Sequence, residues 1–319
     1  MNFWDALKKK GPIIGLSPMD GVTDAAMRFM VAKYSRPDVM FTEFVSVDAI
    51  HHAKGTVRWE RVIQPFKYSE SERPIVAQVF GKEPELFVEA AEIIGEMGFD
   101  GIDINMGCPA HNVSEHGSGA GLIATPELAQ RIVRATKKGA GKLPVSVKTR
   151  LGIEDTHEMG EWIEALMEVE PAVVSLHGRT LRQLYTGKAD WKMIGRAAEI
   201  VHKKGGLILG NGDVKTKEEA LEKTRQYGVD GVLIGRASFG NPTVLLKGAE
   251  PTKKVRLGWM VEHTRLYEKI FGSEHFVPMR KHLAWYAKGF EGASELRQKL
   301  VLTNSAREVE ELMKKESLS

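Results

Sequence analysis

Cys108 is the only cysteine in the 319 residues. It lies in the stretch DINMGCPAHNVSEHGSGAGL, from Asp103 to Leu122. Gly107 and Pro109 force a turn around it, which is not the setting of a cysteine used as a small core hydrophobe. Glycines 117, 119 and 121 follow, so the thiol is expected on a loop that can move, where it suits proton transfer or nucleophilic attack. Lys148 ends the alternating run VSVK, and an ammonium there needs an anionic partner. It could form a Schiff base, or it could stabilise negative charge on a cofactor ring. His177 ends a second apolar run. GNGDV (210–214) and IGRASFGNP (234–242) are glycine-rich turns whose backbone N–H groups can meet a phosphate, with Arg236 as a charged donor.

These groups need elements to hold them. Eight short apolar runs recur along the chain: 12–18, 38–44, 74–80, 101–106, 144–150, 172–178, 206–212 and 231–236. Several lack alternation, as strands buried on both faces do. Amphipathic segments separate them. One of these, TPELAQRIVRATKKG, opens with Thr125 as N-cap and Pro126 at the first helical position, and a glycine closes it. Eight strand–helix units read as a (β/α)8 TIM barrel. No G-x-G-x-x-G follows the first strand, so a doubly wound nucleotide fold is not indicated. Strand ends then supply SPMDG, TEF, Gln78, Asn105 with Cys108, Lys148 with Arg150, His177 with Arg179, GNGD and GR. In a barrel these ends gather at one mouth. Past residue 250 the strands stop, and three or four helices are expected. The division is a barrel over 1–248 and a small C-terminal all-helical domain over 249–319, with Pro251 and a polar run at the boundary.

The bulk numbers limit the setting. A hydrophobic content of 42% supports a large core, and a net charge of +3 permits a nucleic-acid partner without requiring one. One cysteine excludes an intrachain disulfide and any multi-cysteine metal site, and no metal is expected. Neither a signal peptide nor a membrane span is visible, so a cytoplasmic protein with no membrane partner is the expectation.

Taken in order and spacing, SPMDGVTD, FTEF, AQVFG, DINMGCP, VKTRLG, HGRTLRQLYTGKADW, GNGDV and GRASFGNP resemble the tRNA-dihydrouridine synthases over about residues 12–245, and more faintly in MRKHLAWYAKGF. The resemblance implies an FMN-dependent reductase of tRNA, with NADPH as reductant and a helical tRNA-binding domain; no protein partner is inferred, and a monomer is the separate expectation. It implies that Pro18 and Met19 line the FMN and that Gln78, Lys148 and His177 contact its ring system. Lys148 would then compensate the reduced ring's charge. Asn211, Gly212, Asp213, Gly235 and Arg236 would hold the cofactor at its phosphate end. Asn105 and Arg179 would meet the substrate, with Arg280 and Lys281 on the RNA. Cys108 would be the general acid, giving a proton to uracil carbon 5 after hydride reaches carbon 6, on a base drawn out of its stack.

The sequence departs from the family pattern at Ser17, at Asn112 with His111, and at Leu181 followed by Arg182. An FMN barrel acting on a free pyrimidine, like dihydroorotate dehydrogenase, shares most of these features. It would not need a basic helical appendage, which here carries Arg256, Arg265, Arg280, Lys281, His282, Lys288, Arg297 and Lys299. A Schiff-base lyase using Lys148 and a non-catalytic RNA-binding module are the further alternatives.

Overall fold

The computed structural model describes residues 2–114, 117–248 and 251–316. The expected boundary at 248/249 falls beside Ala249, and the departures at His111 and Asn112 concern side chains, that lie outside the described residues. Eight strands form: β1 (Ile13–Leu16), β2 (Met40–Ser46), β3 (Ile75–Phe80), β4 (Gly101–Met106), β5 (Val145–Arg150), β6 (Val174–His177), β7 (Ile208–Asn211) and β8 (Gly231–Ile234). They make one sheet in the order β1-β8-β7-β6-β5-β4-β3-β2, with adjacent strands parallel. The chain just before β2 closes the ring on β1. Asp38 N–H donates to Ile14 O at 3.0 Å and Leu16 N–H to Val39 O at 3.2 Å. The expected (β/α)8 barrel is what the chain adopts.

The barrel interior is divided along its axis. Ile13, Val39, Phe41, Val76, Val173, Leu209 and Leu233 fill the lower part. The helix Phe3–Lys10 closes the bottom with Trp4, and a reciprocal Asn2–Asp5 capping box starts that helix. Above this apolar plug the inward positions turn polar: Gln78, Asp103, Asn105, Ser146, Ser175, His177 and Asn211 are all buried. Strand pairing satisfies the backbone there, and Gln78, Asp103, Asn105 and Ser146 satisfy one another, whereas the Ser175 hydroxyl is buried without a partner. The outer layer of helices packs on the other face of the sheet through residues such as Leu16, Val31, Ile94, Ile132, Leu166 and Val201.

The helix over Pro126–Ala140 has its proline at the expected first position, but Thr125 makes no side-chain cap bond. The helix also runs through Gly139 and ends at Gly141, so the glycine read as its terminus is interior. Among the described residues, four α-helices follow the barrel: Lys253–Phe271, Met279–Tyr286, Ala293–Leu300 and Ala306–Glu316. They enclose Met260, Phe276, Met279, Leu283, Leu300 and Val309. Ala26 and Met30 of the barrel helix Ala25–Ser35 belong to the same core. Tyr34 packs on Trp259 at 5.5 Å, and Phe239 stacks on Trp285 at 4.0 Å. The helical region therefore completes its core with a piece of the barrel.

Candidate active site

The polar strand ends do meet at the C-terminal mouth of the barrel. Register pairs Gln78 with Asp103, Asn105 with Lys148, Arg150 with His177, and His177 with Asn211. Asn105 Nδ2 donates to Gln78 Oε1 at 3.0 Å. Asn105 Oδ1 accepts from Gly107 N–H at 3.0 Å and from Cys108 N–H at 2.8 Å, so one amide holds the turn that carries the thiol.

Cys108 is half-buried. Burial pushes its thiol pKa up, and the nearby Asp20 carboxylate pushes it the same way against Arg150 and Lys148. A thiol so placed keeps its proton at neutral pH, which suits an acid better than a nucleophile. Two of the glycines beyond it are required by close packing. A Cβ on Gly121 would lie 2.3 Å from Ser114 O, and one on Gly119 would lie 3.0 Å from Cys108 O. Ala120 N–H donates to Cys108 O at 3.1 Å. The described part of the loop is close-packed, and Glu115 and His116 lie outside the described residues.

Lys148 is half-buried, and burial together with Arg150 lowers its pKa to about 8 despite Asp103. His177 is buried, and desolvation first, then Lys148 and the arginines, hold it well below its usual range. Arg179 Nη1 lies 3.4 Å from His177 Nε2. A guanidinium only donates, so that nitrogen is the ring's unprotonated acceptor.

Three loops beyond β6, β7 and β8 are tied by Asp213. Its carboxylate accepts from Arg179 Nη2 at 2.7 Å, Ala189 N–H at 2.7 Å and Arg236 Nη2 at 2.8 Å. Asp213 itself has φ 58°, in the left-handed region. A carboxylate would repel a phosphate, so the side chain of Asp213 aims the guanidinium of Arg236 and does not itself hold the anion. Arg179, expected from the sequence to meet the substrate, is 1% exposed. Its guanidinium donates to Thr186 O, Gly187 O and Asp213, so it stiffens the loop after β6. Asn211 Nδ2 is likewise engaged, donating to Leu233 O at 2.8 Å across β7 and β8.

The donor set fits a flavin phosphate. Gly235 directly follows β8 beside Met19, and a Cβ there would meet Met19 Sδ at 3.3 Å and Ser17 Cβ at 3.6 Å. The glycine thus leaves a ledge open between the first and last strands, with Pro18 and Met19 on one side and Arg236 on the other. Lys148 offers a cation to an electron-rich ring, and Gln78 lies within the barrel mouth beneath it.

Two residues at the mouth received no role from the sequence. Arg150 donates to Gly107 O at 2.7 Å, Thr180 O at 3.1 Å and Leu184 O at 3.0 Å, joining the thiol turn to the loop after β6. Tyr185 is 61% exposed, with Arg236 5.6 Å and Arg150 5.9 Å from its ring centre. The spacing of Arg150, two positions after Lys148 on the same strand face, was the available signal. Nothing local marks Tyr185.

The pair on the helical region separates. Arg280 donates to Thr303 O at 2.9 Å and to Asn304 Oδ1 at 2.6 Å, within its own helices. Lys281 instead reaches the loop after β1: its Nζ is 3.1 Å from where a Cβ on Gly21 would be, and it faces Asp20. His282, counted above among the basic surface groups, is 1% exposed and packs on His263 and Trp285.

A sequence profile of the dihydrouridine synthase family matches residues 15–319. The chain belongs to that family. It is 40% identical over 318 residues to a Staphylococcus epidermidis protein named a probable tRNA-dihydrouridine synthase, covering 98% of this chain and 95% of the relative. A Bacillus subtilis protein named a probable tRNA-dihydrouridine synthase 2 is 38% identical over 317 residues, with 98% and 95% covered. Among solved structures, a variant of the old yellow enzyme homologue of Zymomonas mobilis superposes with a TM-score of 0.51 at 16% identity, over 76% of this chain and 92% of that one. A mutant of morphinone reductase bound to tetrahydroNAD gives 0.51 at 11% identity, over 73% and 85%. These structures share the barrel fold. No helix among the described residues is long and apolar enough to cross a membrane.

Proposed function

We propose that this dihydrouridine synthase family member reduces the carbon 5–carbon 6 double bond of uridines in tRNA, using FMN that NADPH reduces. The observation that carries the reading is the thiol of Cys108. Burial pushes its pKa up, Asn105 holds its turn at the mouth, and Lys148 on the adjacent strand sets a cation near it. Bound there, FMN supplies hydride for uracil carbon 6. Cys108 holds the proton that carbon 5 then needs, and its raised pKa keeps that proton in place until carbon 5 becomes basic. Lys148 sets positive charge against the ring and favours its electron-rich form. His177, held neutral, orients the ring without adding charge. Gly235 gives the phosphate access to backbone N–H groups, with Gly212 and Asn211 on the adjacent strand and Arg236 aimed by Asp213. Arg150 and Tyr185 wall the approach to Cys108, where an extruded base enters. Lys281 borders the same mouth and meets the RNA backbone. We assign the protein to the cytoplasm, acting as a monomer.

The free-pyrimidine alternative leaves the helical region without a task. The deciding experiment maps reduced uridines in RNA from cells with and without the gene, alongside identification of the heat-released cofactor. Loss of particular dihydrouridines in tRNA and release of FMN are expected. Unchanged RNA, or release of FAD, overturns the reading.

A further inference from the structure

Asp103 is a buried carboxylate of the barrel interior that the proposed chemistry does not use. Asp103 lies on β4 below Asn105 and is 0% exposed. Its Oδ2 accepts from Gln78 Nε2 at 2.6 Å, and its Oδ1 accepts from Ser146 Oγ at 2.5 Å. Lys148 on β5 is the charge that faces it; Gln78 on β3 and Ser146 on β5 are neutral. From Gln78 the bonds continue to Asn105, and from Asn105 to the N–H groups of Gly107 and Cys108.

Direction matters in this series. An amide has a donor end and an acceptor end and can sit either way round, whereas an ionised carboxylate only accepts. Asp103 therefore draws the NH2 of Gln78 toward itself. That leaves Gln78 Oε1 facing Asn105, which answers with its own NH2 and turns Oδ1 to the two N–H groups of the thiol turn. Reversing any amide sets donor against donor, or acceptor against acceptor, among side chains that are all buried.

We propose that Asp103 is a positioning residue for Cys108: by fixing the sense of the Gln78 and Asn105 amides it holds the turn that presents the thiol. Its value to catalysis rests on the role proposed for Cys108, while the relay itself exists in the fold whether or not that reaction occurs.

The single cysteine makes the relay directly observable, since labelling with 15N-cysteine gives one amide signal, that of Cys108. Exchange of this amide with solvent is measured in wild type, Asp103→Leu and Asp103→Asn, corrected for the intrinsic chemical rate, with thermal melting as the check on the global fold. Leucine removes the acceptor, and exchange should accelerate by about tenfold. Asparagine can still accept from Gln78 through its oxygen while its NH2 donates to Ser146 Oγ, so exchange should stay within about twofold of wild type. Unchanged exchange in Asp103→Leu overturns the proposal, as does equal loosening by both substitutions.

Should the leucine variant fail to fold, Asp103→Ala, which removes the same acceptor oxygens without adding an apolar branch, is measured in its place. Exchange at Cys108 should again accelerate by about tenfold, and unchanged exchange overturns the relay. RNA reduction assayed on the same preparations stands apart: an intact relay in a protein that leaves tRNA unreduced overturns the function and not the positioning.

Discussion

At the scale of the residue, two side chains carry separable predictions. Cys108→Ala should retain flavin and oxidise NADPH, because neither step needs the thiol. RNA reduced per bound flavin should drop by about 10²–10⁴, the range for a lost proton donor. Near-wild-type reduction would show that Cys108 only packs. Lys148 is testable without any cofactor. Its folded pKa of about 8 lies below the ordinary 10.5, so the folded state disfavours the proton. The penalty is full below about pH 8, where the lysine is charged in both states, and it disappears as pH rises toward 10.5 and the unfolded chain also loses the proton. Flavin-free Lys148→Met should therefore melt above wild type at neutral pH, with the gap narrowing at alkaline pH. A gap that widens with pH would show that the ammonium is stabilised in the fold and not strained.

At the scale of the element, the site depends on loops that fasten one another. Arg179 joins the loop after β6 to Asp213 after β7, and Asp213 in turn aims Arg236 after β8. Removing a buried partner leaves others unmatched, so Arg179→Ala should cost about 3 kcal/mol of stability. It should also reduce flavin retention, because Arg236 loses its guide. Equilibrium unfolding and flavin titration check this together. A variant with normal stability and flavin content but weak RNA affinity would restore Arg179 to the substrate surface. The position of this arginine was legible from the strand end, but its direction was not. Only the packing of residues 180–188 around it decides that its guanidinium is enclosed. Gly121 illustrates the same division: the glycine is plain in the sequence, and its reason, the carbonyl of Ser114 at 2.3 Å from a would-be Cβ, is tertiary.

At the scale of the whole molecule, barrel and helices share one seam, with Ala26 and Met30 in the helical core. This seam brings Lys281 to the mouth and turns Arg280 away. Lys281→Ala should weaken tRNA binding and lower the slope of log affinity against log salt by about one, as for a lost phosphate contact. Arg280→Ala should instead cost about 1 kcal/mol of stability through its lost hydrogen bonds and leave that slope alone. Binding measured over a salt series with both variants tests the pair, and equal slopes for the two would remove the distinction.

The eight apolar runs, the polar residue at the end of each and the glycine turns after the last strands were sufficient by themselves to specify the barrel and the strand-end residues at its mouth, though not Tyr185 or Lys281. The reason is that strands buried on both faces and the turns that end them leave local marks, and a closed parallel barrel places all those ends on one side. Tertiary structure alone decided which arginines are enclosed, that Asp213 serves guanidinium groups, that His282 is core, and that Asp103 orients two amides. Those outcomes depend on which atoms face each other across strands and loops far apart in the chain. Neither hydrophobic period nor motif spacing records the direction of a hydrogen bond between them.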